Sequence, residues 1–450
     1  MMYQNKKFAV ILGAGQDGAG ITRAVIEKQK WCKKNDITLE VYYFDTGVKW
    51  AKRQELVATA ITASNIEEIL VHLNKNIDVI FFHSFPRKEF TAEDFNLFYQ
   101  FVRRIICTKV AIDHTTTKTS MNLMSQFVLM LNEMDLVYMF EAYAGLGDTI
   151  NKLLPSKFVG ERIKKTHLWF NFDTFKEQFN VPFEERVRRL LYVGRHASFK
   201  HAESVLPLGK KLHDIDSTFK TEMYGITGGI SAKVQIYDSP YCIRTDKRDL
   251  AGPEGCVEVS GPYQHDDMMD YLSHSLFGIS LFDYESNQKM EYAQLEMIAC
   301  GCVPIFDKHW AETLKLEYTN PDKTYAELSN AQAIFVDRHD PINAQQIIDT
   351  SNNKAVWEQM RNKALEIVGK EYDPDLVLPI LFEEAATITK DENRFENKLE
   401  LLDHSLNDVA VVDLYNHHTY DIIVMNVSQL TQRKFTILEN KKLKVIQQFK

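Results

Sequence analysis

Short apolar runs bounded by turn residues alternate with stretches of helical period along most of this chain, and few folds accommodate that order. Strands that are each followed by a helix do not pair as hairpins. They align in parallel, with the helices crossing over both faces of the sheet. The first set of strands is expected at residues 8–12, 39–44, 77–82, 109–112 and 136–140. Helices are expected from the glycines after the first strand through residue 32, and at 92–105, 121–133 and 146–154. The methionine-rich run MNLMSQFVLMLNEM reads as a core helix rather than a binding surface. The polar, aromatic stretch HLWFNFDTFKEQFNVPFEERVRRL (167–190) then reads as a linker. Beyond it the alternation restarts, with strands at 190–193, 219–224, 257–260, 278–281 and 303–306 and helices at 202–212, 266–275 and 292–300. The sequence thus predicts an α/β chain of two Rossmann-like domains, residues 1–175 and 188–375, whose parallel sheets face a central cleft. A helix at 375–387 opens a segment, 376–398, that crosses back. Residues 399–450 form a small β-rich extension, with strands at 409–414, 420–427, 435–438 and 443–449.

A length of 450 residues agrees with two cores rather than one. Lys6-Lys7 is followed by an apolar run of only residues 8–12, which reads as a first strand and not as a signal peptide. No run approaches the ~20 apolar residues of a membrane-spanning helix. The cysteines at 32, 107, 242, 256, 300 and 302 have no zinc-site spacing and read as reduced structural thiols of a cytoplasmic protein. A net charge of −9 excludes a wholly basic nucleic-acid coat but not a local basic groove.

Four features point to chemistry at strand ends. The loop GAGQDGAG, Gly13 to Gly20, follows the first strand, where backbone N–H groups can approach an anion closely. It lacks the lysine of a P-loop, and a merely tight turn is the alternative. In YVGRHASFK, a buried strand delivers Gly194, then Arg195 and, five residues on, Lys200. A guanidinium and an ammonium at one strand end suit a diphosphate, although solvated surface charge is the bland reading. In MEYAQLEMIACGCVPIFD, Tyr292 to Cys300 reads as an amphipathic helix stopped by Gly301. Glu296 can then accept both hydroxyls of a ribose, or form a structural ion pair. Glu291 can face a donor sugar, or cap the helix. Finally, Asp113-His114 follows the strand at 109–112, a place suited to proton transfer or to holding an acceptor hydroxyl, or to a plain turn.

The strand-Gly-Arg-x4-Lys of LLYVGRHASFK and the Glu-x-x-Ala-x-Gly-x-x-Pro run of LEMIACGCVPIF resemble the retaining GT-B nucleotide-sugar glycosyltransferases. Four passages resemble more narrowly the DNA α-glucosyltransferases of T-even bacteriophages: GQDGAGITRAVIEKQKWCKKN, VAIDHTTTKTSMNLM, GRHASFK and NQKMEYAQLEMIACGCVPIF. The similarity runs to about residue 390; the β-rich extension has no evident counterpart. The resemblance implies GT-B architecture and a UDP-sugar donor. It also implies transfer with retention of a sugar, glucose or a pentose such as arabinose, to 5-hydroxymethylcytosine in double-stranded DNA. It places Arg195 and Lys200 on the diphosphate, Glu296 on the ribose, and Gly15, Gln16, Gly18 and Gly20 with Tyr263 and Glu291 around the donor. Asp113 and His114 fall beside the reacting carbon. Where the family has the first of two glutamates, this chain has Gln288. No metal is demanded, because two fixed cations can take its place, and the resemblance puts the protein in the cytoplasm of an infected bacterium.

A DNA acceptor needs cations for its phosphates. Arg103 and Arg104, and Arg162 with Lys164 and Lys165, are the expected contacts. Arg186 with Arg188-Arg189, and Lys210-Lys211, are further basic clusters. The competing readings are a transferase acting on a cell-surface glycan or glycolipid, which shares the donor residues, and a non-catalytic nucleotide-sugar-binding protein.

Overall fold

The computed structural model describes residues 2–13, 20–45, 56–83, 92–113, 130, 133–140, 163–166, 168–194, 196, 200–225, 242–244, 256–260, 265–281, 290–308, 332–339, 343–388, 409–416, 419–426 and 443–445. They divide into two compact units, residues 1–167 with 377–450, and residues 168–376.

Seven described strands make up the parallel sheet of the first unit: β1 (Phe8–Leu12), β2 (Leu39–Phe44), β3 (Thr59–Ile61), β4 (Val79–His83), β5 (Thr108–Asp113), β6 (Leu136–Phe140) and β7 (Ile163–Thr166). They form one parallel sheet in the order β3-β2-β1-β4-β5-β6-β7. FAVIL in β1 and VIFFH in β4 are buried at every position, as strands covered on both faces require. The crossovers include α1 (Gly20–Lys34), α2 (Ile66–Asn76) and α3 (Ala92–Arg104).

The second unit repeats the plan with β8 (Val187–Val193), β9 (Lys220–Tyr224), β10 (Cys242–Arg244), β11 (Val257–Ser260), β12 (Ser275–Ser280), β13 (Val303–Asp307) and β14 (Ile334–Val336). The order is β10-β11-β9-β8-β12-β13-β14, again all parallel. Its helices are the short α4 (Lys176–Phe179), then α5 (Val205–Ile215), α6 (His265–Ser273), α7 (Tyr292–Ala299), α8 (Ala344–Ser351) and α9 (Lys354–Glu371). Pro304 sits in an interior strand without breaking it. It stands opposite Gly278 of β12, while β14 pairs with β13 only from Ile305 onward.

The stretch expected to be a linker is packed instead. Leu168, Trp169 and Phe170 are buried, and Phe170 stacks on Phe175 at 5.2 Å. Arg186 ties the stretch down. Its guanidinium donates to the carbonyls of Val181, Ser275 and Cys300 at 3.0 Å, Phe179 at 3.2 Å and Gln178 at 3.3 Å. It lies 5.1 Å from the ring of the buried Trp357. The aromatic residues that look out of place in a linker are its anchors.

After α9 comes α10 (Pro374–Thr387), whose Phe382 packs in the first unit. Its ring lies 4.6 Å from Phe8, 5.0 Å from Phe81 and 5.3 Å from Trp31. Beyond it, β15 (Val409–Asn416), β16 (Thr419–Asn426) and β17 (Leu443–Val445) form an antiparallel sheet in the order β16-β15-β17. The strand expected at 435–438, the helix at 146–154 and most of the helix at 121–133 lie outside the described residues. Met130 and Met134 of the methionine-rich run are buried, in keeping with a core role. Among the described residues no helix is long and apolar enough to cross a membrane.

One core position of the first unit is a lysine. Lys28 of α1 is fully buried, with Nζ 2.9 Å from Nε2 of the equally buried His83 and 4.0 Å from the centre of the Phe81 ring. Burial pushes its pKa down to about 7. The unfolded chain holds this proton up to roughly pH 10. Between those values the unfolded state binds the proton that the folded state has released, so stability rises with pH across that window. The slope reaches about 1.4 kcal/mol per pH unit. Below about pH 7 the cost of burying the charge is present in full. We expect the first unit's denaturant midpoint to climb from about pH 7 to 10 in the wild type and Lys28→Met to flatten that climb, measured by circular dichroism; equal slopes in both proteins would refute the assignment.

Candidate functional site

In the second sheet the strand order reverses at β8, which lies between β9 and β12. Ligands of such sheets bind outside the carboxyl ends of the strands at this point. The chain leaves β8 at Gly194, whose N–H donates to Tyr224 O at 3.0 Å. The backbones of the turns after β8 and β9 then pass so closely that a Cβ on Gly225 would lie 1.6 Å from Gly194 O. Gly225 also has φ +159°, so the position has neither room nor a conformation for a side chain. His196 follows, buried, with its ring 5.7 Å from Tyr192.

Lys200 Nζ donates to both carboxylate oxygens of Glu291, and each of these side chains is less than one-fifth exposed. Glu291 immediately precedes α7, and its own N–H donates to Gln294 Oε1 at 2.8 Å. The residue thus opens the helix and also faces the cation. Glu296, in the second turn of α7, accepts from Nε2 of His265, the first residue of α6, at 2.9 Å. A carboxylate only accepts, so this contact puts the proton on Nε2.

The other end of α7 is fixed by Gly301, φ +81°. Gly301 N–H donates to Ile298 O and Cys302 N–H to Met297 O, both at 3.0 Å, the pair of bonds that closes a helix on a left-handed glycine. Cys300 and Cys302 are buried free thiols; burial raises both, Cys302 to about 12. They pack rather than react. The result is one ammonium and two oriented carboxylates at one end of the second sheet, a set that can grip an anionic group and a pair of hydroxyls.

Of the residues singled out by sequence, Lys200 and Glu291 are brought into contact here, and Glu296 lies on the same helix, bonded to His265. In the first unit, Gly20 opens α1 and is exposed, and Asp113 closes β5. Gly15, Gln16, Gly18, His114, Arg162, Arg195, Tyr263 and Gln288 lie outside the described residues. Among the basic clusters, Arg104 bonds both oxygens of Glu67 at 2.5 and 2.6 Å, and Arg103 lies 3.9 Å from Glu133. Lys164 pairs with Glu384 at 2.7 Å, while Lys165 is a residue of β7. The third cluster, Arg186 with Arg188-Arg189, is structural rather than a solvated face. Arg186 bonds backbone carbonyls, Arg188 pairs with Asp216 at 2.7 Å, and buried Arg189 pairs with Glu222 at 3.1 Å. Sequence reasoning missed His265 and Gly225. No motif marks either; their only signal is position, His265 opening a helix and Gly225 closing a strand. Among the described residues no group of three or more His, Cys, Asp or Glu side chains is placed to hold a metal ion.

The family model described as DNA alpha-glucosyltransferase matches residues 217–355. The DNA alpha-glucosyltransferase of Enterobacteria phage T4 is 23% identical over 414 residues, covering 82% of this chain and 96% of the relative. An alpha-glucosyltransferase solved in complex with UDP-glucose and DNA containing an abasic site superposes with a TM-score of 0.72 at 17% identity, over 85% of this chain and 100% of that one. TarM of S. aureus, solved with alpha-GlcNAc-glycerol and UDP, gives 0.56 at 10% identity, over 85% and 100%. These likenesses match the resemblance read from the sequence, and the fold is that of the GT-B glycosyltransferases.

Gly225→Ala forces the turns after β8 and β9 apart. It should cost roughly 2–4 kcal/mol of stability, read by chemical denaturation; a loss below about 0.5 kcal/mol would show that the crossing is not needed.

Proposed function

We propose that this chain, a GT-B protein similar to the phage DNA α-glucosyltransferases over most of its length, moves glucose from UDP-glucose to 5-hydroxymethylcytosine in double-stranded DNA with retention, in the cytoplasm of an infected bacterium. The observation that carries the donor half is the pairing of Lys200 with Glu291 at the start of α7, the helix that also carries Glu296, beside the point where the second sheet changes direction. UDP-glucose and DNA accompany the solved relative, which supports the same substrates here.

In this reading Lys200 and Arg195 hold the diphosphate. The incoming phosphate competes with Glu291 for Lys200, so the ion pair keeps the ammonium placed until the donor arrives. Glu296 receives the ribose hydroxyls. Tyr263 and the residues Gly15, Gln16, Gly18 and Gly20 complete the donor contacts, and Glu291 is the carboxylate nearest the sugar in place of the family's usual one at Gln288. As the bond from the sugar to UDP breaks, negative charge grows on the diphosphate, and cations already in position stabilise it without reorganising. That supplies what a metal ion would otherwise provide. Asp113 and His114 orient the acceptor hydroxyl, which attacks from the face that UDP leaves. Arg103, Arg104, Arg162, Lys164 and Lys165 meet DNA phosphates. The pairs Arg104–Glu67 and Lys164–Glu384 do not stand in the way, because exposed ion pairs are worth about 0–1 kcal/mol and exchange readily for phosphate.

The test is transfer from a panel of UDP-sugars to hydroxymethylated DNA, followed by mass spectrometry of the nucleosides and NMR of the anomeric linkage. Glucose in α-linkage on hydroxymethylcytosine, unaffected by EDTA, is the expected product. Transfer only to glycans, or only of a pentose, would overturn the assignment. Arg195→Ala, Lys200→Ala and Glu296→Ala should each lower kcat/KM by roughly 10²- to 10³-fold with the fold intact.

A further inference from the structure

The contact between α6 and α7 has a use beyond packing. His265 and Glu296 belong to different helices, and their bond joins the beginning of one to the second turn of the other at the carboxyl end of the sheet. The helices also touch deeper in the core, where Cys300 Sγ lies 3.8 Å from Met269 Sδ. The pair is therefore not what holds α6 against α7. It lies towards the surface, with the His265 side chain about a quarter exposed at 26% and the Glu296 side chain at 11%.

A glutamate on a helix has three side-chain torsions and, unassisted, offers its carboxylate in several directions. Recognition of a vicinal diol needs one direction, because two hydroxyls a fixed distance apart must both donate to it. The imidazole selects that direction by holding Oε1. A carboxylate has about four lone-pair positions and can accept from an imidazole and from hydroxyls together.

We propose that His265 is a positioning residue that makes the donor site selective for ribonucleotides, by fixing the Glu296 carboxylate to receive the 2′- and 3′-hydroxyls together. The inference rests on the donor role given to Glu296 above. It adds a residue that does not touch the reacting atoms and a substrate property, discrimination of ribose from 2′-deoxyribose.

The experiment is calorimetric titration of the full chain with UDP and with 2′-deoxy-UDP. Neither needs an acceptor, so the result is independent of whether DNA is the acceptor. Wild type should prefer UDP by roughly 10- to 100-fold, the effect of one hydrogen bond to a charged group. His265→Ala should cut that preference to within threefold while leaving the affinity for 2′-deoxy-UDP where it was. His265→Gln, whose amide nitrogen can reach the position of Nε2, should restore most of it. Equal weakening of both nucleotides would make His265 merely structural and overturn the proposal, as would an unchanged ratio or a wild type without preference. If His265→Ala fails to fold by circular dichroism, His265→Leu against His265→Gln gives the same comparison. Absence of UDP binding in the wild type overturns the donor reading and this inference with it. Normal ribose selectivity without transfer to DNA counts against the acceptor assignment alone.

Discussion

The second unit is organised by the parallel pairing of β8 with β9 on one side and β12 on the other. A strand with parallel neighbours on both sides sends its crossover to one face while the strand beyond it sends its own to the opposite face. The turns diverge, and a gap opens above the carboxyl ends of the strands. The residues of the second unit proposed to hold the donor, where described, are placed by that divergence. Lys200 lies on the exit from β8, Glu291 and Glu296 on the helix that follows β12, and His265 on the helix that precedes it. Gly194 and Gly225, which follow β8 and β9, approach so closely that Gly225 has no room for a side chain.

Much of this was legible in the sequence because the strands are buried on both faces. Runs such as FAVIL and VIFFH can hardly be read otherwise, and the run expected at 136–140 is β6 (Leu136–Phe140). The helix from Tyr292 and its stop at Gly301 followed from period and from a glycine placed where a left-handed residue is needed. Short edge strands were less visible: β3, β10 and β14 have three residues each, too few to show a period. The stretch at 167–190 failed for the opposite reason. Its aromatics are spaced for irregular 3₁₀ turns, so burial there leaves no periodic trace. Glu291 and Glu296 could be named from spacing, but their partners Lys200 and His265 stand 91 and 31 residues away, and only the fold joins them.

The basic residues show how little a run of like charges reveals about its use. Arg103-Arg104 and Arg186 to Arg189 look alike as text. Arg104 makes exposed bonds with Glu67, whereas Arg186 and Arg189 are buried among carbonyls and a carboxylate. Desolvation lowers the pKa of Arg186 to about 10, so even there the side chain stays charged near neutral pH and serves as a five-donor bracket.

That bracket carries a kinetic implication. The carbonyls it gathers come from the neighbouring segment at 178–181, from Ser275 at the head of β12 and from Cys300 at the foot of α7. Loops of 89 and 114 residues must close before the guanidinium has its full set. The Ser275 bond lies beside the pairing of Val187 with Ser275, so the seam at 168–186 is fastened by contacts that need the same long-range pairing of β8 with β12.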